Sequence, residues 1–165
     1  MYVGHLATGL AARAVANSAP LVVLLAAAVA LDLGDVALGL AGIAPTGHST
    51  HTLPAMLAWS AGAGLLATLA YNRRTGLVIA ALVGLHLPLD YLTSSLEAWP
   101  DGPTVGVHLY RVRWADAVLE IGLVVAAVAA YRTTLPPGAR ARQVTLAMTS
   151  VLAALQIAFD LWIAA

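Results

Sequence analysis

The 165 residues carry eight basic and eight acidic side chains, a net charge of zero, 61% hydrophobic residues and 10% charged ones, at a mean hydropathy of +0.86. That leaves too little polar surface to clothe a soluble globule and offers no basic run to a nucleic acid, so the chain reads as a single integral membrane domain over residues 1–165. Cysteine is absent, which excludes thiolate zinc sites, iron–sulfur clusters and disulfides; any metal must be held by histidine and carboxylate.

In chain order, residues 4–16 form a mildly apolar first helix without the charged start and small-residue cleavage site of a signal peptide. Asn17-Ser18-Ala19-Pro20 reads as a turn, with Ser18 as N-cap and Pro20 in the first helical turn. Residues 21–43 are then long enough to span a hydrocarbon core of roughly 30 Å and carry Asp32 and Asp35 in their second half. His48 and His51 stand just ahead of a third span that runs through Tyr71. After the polar turn Asn72-Arg73-Arg74-Thr75, residues 76–96 form a fourth span, in which Pro88 removes a backbone bond and predicts a kink beside His86. Residues 99–108 are the longest loop, residues 111–131 a fifth span with Asp116 and Glu120, and residues 144–165 the last, with Asp160 near its end. The expected fold is therefore all-α, a polytopic transmembrane bundle of about six helices, the first of them short.

Arginines set the expected orientation, because cytoplasmic loops collect positive charge. Arg73 and Arg74 mark the third-to-fourth connection; Arg132, Arg140 and Arg142 mark the fifth-to-sixth; Arg13 falls on the same side. Both termini then face outward. All eight basic residues are arginine, the codon habit of a GC-rich genome, so the expected location is the cytoplasmic membrane of a bacterium or archaeon.

His86, Asp90 and Thr93 lie three and four residues apart and form one polar stripe on the fourth helix. An ionised Asp near mid-membrane costs on the order of 3 kcal/mol, so it needs a partner or a task. His5, Asp32, Asp35, His48, His51 and Glu120 all fall, on this topology, in the same outward-facing half. Side chains scattered only to bind helices together would have no reason to share one depth, so the convergence points to a single buried metal site. Imidazole and carboxylate suit Zn(II), with Mn(II) or Fe(II) as alternatives, and the chemistry they support is metal-assisted hydrolysis. A carboxylate outside the ligand set takes the proton from water, a role open to Glu120 or Asp35. Asp116 and Asp160 lie close enough to the interface to be solvated. Arg111 and Arg113 sit on the outer side, where they either snorkel to headgroups beside Tyr110 and Trp114 or hold an anionic substrate group such as phosphate.

These residues resemble, over roughly the first three-quarters of the chain, the membrane-bound metal-dependent hydrolases of bacteria and archaea. Gly4-His5 is similar to that family's opening Gly-His, Leu31-Asp32-x-x-Asp35 stands where its acidic motif lies, His48-Ser49-Thr50-His51-Thr52 is similar to its His-rich segment, and His86-x3-Asp90-x2-Thr93 matches its His-x3-Asp-x2-Thr. The resemblance implies metal ligation by His5, Asp32, His51, His86 and Asp90, with Glu120 a further ligand or base. It is more distantly similar to zinc-dependent phospholipases C, which implies a phosphoester or ester of a lipid or other amphiphile as substrate and membrane lipids as partners. The rival readings are a small transporter, disfavoured because the inner halves of the spans are nearly free of ionisable groups, and a non-catalytic subunit of a membrane complex.

Overall fold

A computed structural model describes residues 3–43 and 46–163, with the side chains of residue 46 and of residues 160–163 outside the description. The fold is all-α. Its helices are α1 (Val3–Ala12), α2 (Leu21–Ala28), α3 (Ala30–Leu40), α4 (Thr46–Thr50), α5 (Leu53–Ala70), α6 (Arg73–Thr93), α7 (Arg113–Arg132) and α8 (Ala139–Ile163). A two-residue antiparallel ribbon, β1 (Leu96–Glu97) with β2 (Thr104–Val105), and one turn of 3-10 helix at Leu109–Arg111 complete it.

Among the described residues four helices, α5 to α8, are long and apolar enough to cross a membrane, and the count reaches five if α2 and α3 are taken as one span. This corrects the expectation of six on two points. The first helix has only ten residues, rising about 15 Å, half of a bilayer core. The second segment is broken at Val29 and bent by 71°. No glycine or proline marks that break in the sequence. Its cause is tertiary: Ala28, the last residue of α2, presents a carbonyl that its own helix leaves unsatisfied, and His86 Nδ1 takes it at 2.9 Å.

Short α1 is the hub. One apolar cluster joins its C-terminal end to α2, α3, α5 and α6 through Ala12, Leu24, Leu31, Met56, Val83 and Leu87; a second joins Val3, Ala7 and Leu10 to Val124, Ala127 and Val128 of α7. The turn after α1 is pinned to the turn before α6. Ser18, expected as an N-cap, instead bonds Thr75 Oγ1 at 2.5 Å and accepts from Asn72 Nδ2 at 2.9 Å, while Arg13 donates to the carbonyls of Asn17 and Ala19. Asn72 is the true cap here, accepting from the backbone N–H of Thr75. The outward faces of α5 and α8 are apolar, with Leu57, Leu65, Leu66, Leu69, Leu146 and Val151 exposed, the reverse of a soluble bundle.

Helices α5 and α6 approach backbone to backbone through facing glycines. A Cβ on Gly76 would collide with the Thr68 hydroxyl and stand 2.6 Å from the carbonyl oxygen of Gly64, which cannot yield as a side chain can. Gly76→Ala is accordingly expected to destabilise the bundle by about 1–3 kcal/mol, read as a lower unfolding midpoint in detergent. An unchanged midpoint would mean that the two helices can separate freely.

Three smaller expectations also change. Helix α6 runs unbroken through Pro88, α8 begins at Ala139 and not at Val144, and the loop at 99–108 folds back as the β ribbon. The ribbon is tied down by Leu53 N–H to Ala98 O at 2.8 Å and Val107 N–H to Tyr91 O at 2.7 Å.

Candidate metal centre

The bend at Val29 swings the start of α3 across the top of α2 and carries Asp32 over α6. Asp32, His86 and Asp90 then face His51, which follows α4, and His5 from the first turn of α1. These five, taken from separate stretches of the chain, meet around one point.

The atoms that meet have ligand geometry. Asp32 Oδ1 is 3.4 Å from both His51 Nε2 and His86 Nε2, and Asp90 Oδ2 is 3.2 Å from His86 Nε2 and 3.7 Å from His51 Nε2. Atoms bound at about 2.0–2.1 Å to a tetrahedral zinc stand about 3.3–3.4 Å apart, so these four separations, four of the six such a tetrahedron would have, lie close to what a bound ion requires. His5 belongs to the same set: its donor atom lies within 4.8 Å of those of Asp32 and His86, its ring stacks on His86 at 3.8 Å, and its Nε2 meets Asp90 Oδ1 at 3.0 Å.

Tautomers decide what these rings offer. A carbonyl can only accept, so the bond to Ala28 puts the proton of neutral His86 on Nδ1 and turns the Nε2 lone pair toward two carboxylates. Nε2 is buried and has no hydrogen-bond partner. His51 is fixed the same way. The Thr50 hydroxyl donates to Asp35 Oδ1 at 2.5 Å, which leaves its oxygen to accept from His51 Nδ1 at 2.9 Å, with Asp35 Oδ2 3.4 Å behind it. Two imidazole lone pairs aimed at two carboxylates repel one another unless a positive charge, a proton on the ring or a metal ion, lies between them. The donor set fits a divalent ion.

Burial grades across the site. His5 and His86 are 1% exposed and Asp90 8%, whereas the Asp32 and Asp35 side chains are 46% and 32% exposed at the mouth. The opening is a cleft of about 300 Å³ lined by His5, Asp32, Asp35, His51, Asp90 and Tyr110. It has a dry floor and a wet entrance.

The other candidates are not brought to this point. Glu120 is fully buried on α7 and accepts from the backbone N–H of Gly4 at 2.8 Å, so it anchors the N-terminal turn that carries His5. Asp35 stands behind His51 and orients it. Arg111 and Arg113 are exposed beyond the cleft lining. His48 pairs with Glu97 at 3.0 Å on the ribbon. Asp116, expected to be solvated, is buried at 1% exposure, because it lies on the inward face of α7, one turn before Glu120. Asp160 lies outside the described side chains. Two residues of the site went unread in the sequence: Thr50, which only its place beside His51 could have suggested, and Tyr110, whose phenol burial pushes up so that it stays protonated in the cleft wall.

No known protein family, curated protein or solved structure matches this chain.

The relay behind His51 can be tested directly. Thr50→Val and Asp35→Asn are each expected to weaken metal binding by about 10–100-fold while leaving the fold intact, since they remove support for a ligand and no ligand itself. Competition with a metallochromic chelator measures this. Wild-type affinity in both variants would show that His51 needs no orienting partner.

Proposed function

We propose that the chain is an integral membrane protein with a single-metal hydrolase site near its outer face, acting on a phosphoester or ester of a lipid or other amphiphile. The observation that carries this reading is the convergence of the Asp32, His51, His86 and Asp90 donor atoms, 3.2–3.7 Å apart where imidazole meets carboxylate, beneath an open cleft. In this reading Asp32, His51, His86 and Asp90 hold a divalent ion, zinc first, with His5 stacked on His86 as a further ligand or as the partner that fixes Asp90.

Such an ion, when bound, supplies an activated water near neutral pH and polarises the oxygen of the scissile group. The chain supplies the rest. Thr50 and Asp35 lock the ring of His51, Ala28 locks that of His86, and His5 and His86 exclude water from the floor. Among the cleft residues Asp35 is the carboxylate outside the ligand set, placed at the mouth where it takes up a proton. Glu120 acts through α1 and not on the substrate.

The same geometry supports an orientation. Arg13, Arg73 and Arg74 gather at the end where Ser18 meets Thr75, and His86 stands eleven residues further along α6, about 16 Å away. With the arginine end inside, the cleft opens to the outer leaflet and both termini face outward. An amphiphile reaches the cleft sideways without a soluble recruiting domain.

The test is turnover of phosphoester and ester lipids by purified protein in nanodiscs, stripped with chelator and then reloaded with zinc, manganese or iron. Hydrolysis lost on stripping and restored by one ion is the expected result. A protein that binds metal stoichiometrically yet turns over none of these lipids would sink the hydrolase reading.

A further inference from the structure

The cleft does not end at His51. His51 and Leu96 also line a second cavity of about 320 Å³, closed on the far side by His48, Ser95, Glu97 and Thr104. The two spaces adjoin along Gly47, His51 and Leu96, which line both, so a molecule with its reacting group over the candidate metal ligands has this chamber beside it for its next atoms.

The chamber has a defined polarity. Glu97 accepts from His48 Nε2 at 3.0 Å and from the backbone N–H of Asp101 at 3.2 Å, and both bonds fall on Oε2. Its Oε1 is left for another donor, since a carboxylate has about four lone-pair sites. With Nε2 committed to Glu97, the other ring nitrogen of His48 is left for a further partner. The hydroxyls of Ser95 and Thr104 complete the wall, and no arginine lines it. An anionic group would meet Glu97 with no cation to offset it. A group bearing several hydroxyls finds acceptors for its protons and donors for its oxygens.

We infer that this second cavity is the subsite for the polar headgroup of the substrate and that it takes an uncharged, polyhydroxylated alcohol, held by Glu97 and His48 of the ribbon and α4. The inference rests on the hydrolase reading for its word "substrate" but not for the binding itself. Specificity is then set by the ribbon and not by the metal ligands.

The experiment uses the zinc-loaded, full-length protein, mixed with equal amounts of phosphatidylglycerol and phosphatidylethanol of identical acyl chains, and reads lipid retention by native mass spectrometry. The two lipids carry the same charge, and only the first has free headgroup hydroxyls. Phosphatidylglycerol is expected to be retained about tenfold or more over phosphatidylethanol, as hydrogen bonds to a charged acceptor warrant, and the ratio is expected to fall toward one in Glu97→Leu at unchanged zinc content. Equal retention in the wild type, or a preference that survives Glu97→Leu, would overturn the subsite. So would phosphatidylethanolamine displacing both, which would make the chamber a cation site. Wild-type protein that selects phosphatidylglycerol without hydrolysing any lipid upholds the subsite and removes the hydrolase; hydrolysis without selection does the reverse.

Discussion

His86→Ala is expected to abolish metal binding and to weaken the fold at the same time. Supporting residues around metal ligands typically contribute 10–100-fold in affinity, so loss of a ligand itself should exceed about 100-fold. The same ring holds the Ala28 carbonyl at the bend, and removing it strands a buried acceptor at a cost of about 1–3 kcal/mol, with a cavity added. Asp32→Ala separates the two effects. Asp32 is half-exposed at the cleft mouth, so its loss should empty the site while leaving the stability of the metal-free protein within about 0.5 kcal/mol. Elemental mass spectrometry on protein purified without chelator, paired with unfolding in detergent, reads both quantities. Metal retained at wild-type level in both variants would reduce the cluster to a set of helix contacts.

Glu120→Ala is expected to cost about 2–3 kcal/mol and to lower metal occupancy without touching any ligand. Its buried carboxylate receives the N–H of Gly4, and that bond seats the first turn of α1, one residue from His5. Glu120→Gln keeps an acceptor at the same place and should retain most of the stability and the metal. If Glu120 were the proton acceptor of catalysis, Gln would be as inactive as Ala while both bound metal normally. Metal content and turnover, measured on the two variants side by side, distinguish the anchor from the base.

What the sequence made legible was whatever a single helix encodes. His86 and Asp90 share a face by spacing alone, and the low charge with long apolar runs located α5 to α8. The bend at Val29 was not legible, because its cause is an imidazole fifty-eight residues away and not a local glycine or proline. Glu120 shows the same limit from the chemical side: a carboxylate in an apolar helix looks alike in sequence whether it meets a metal or a backbone N–H. Asp116 looked interfacial because it stands near a helix start, and only packing shows that it faces inward while its neighbours Arg113 and Trp114 stay exposed. The ribbon was hidden because each of its strands is two residues long, too short for any alternation to appear.

The bend has one more consequence, for the bilayer itself. Where α2 turns into α3, the wall of the protein stands eight residues tall, about 12 Å, beside α5 and α6 of 18 and 21 residues, about 27–32 Å. Along α3, Leu33, Val36 and Leu40 project their apolar side chains sideways, a shelf rather than a column. Lipid packed against that edge faces a hydrophobic mismatch and relieves it by thinning, which draws the headgroup plane down on one side of the molecule only. That side is the one carrying Asp32 and Asp35, so in the function proposed above a leaflet thinned there would shorten the way of a lipid headgroup to the cleft.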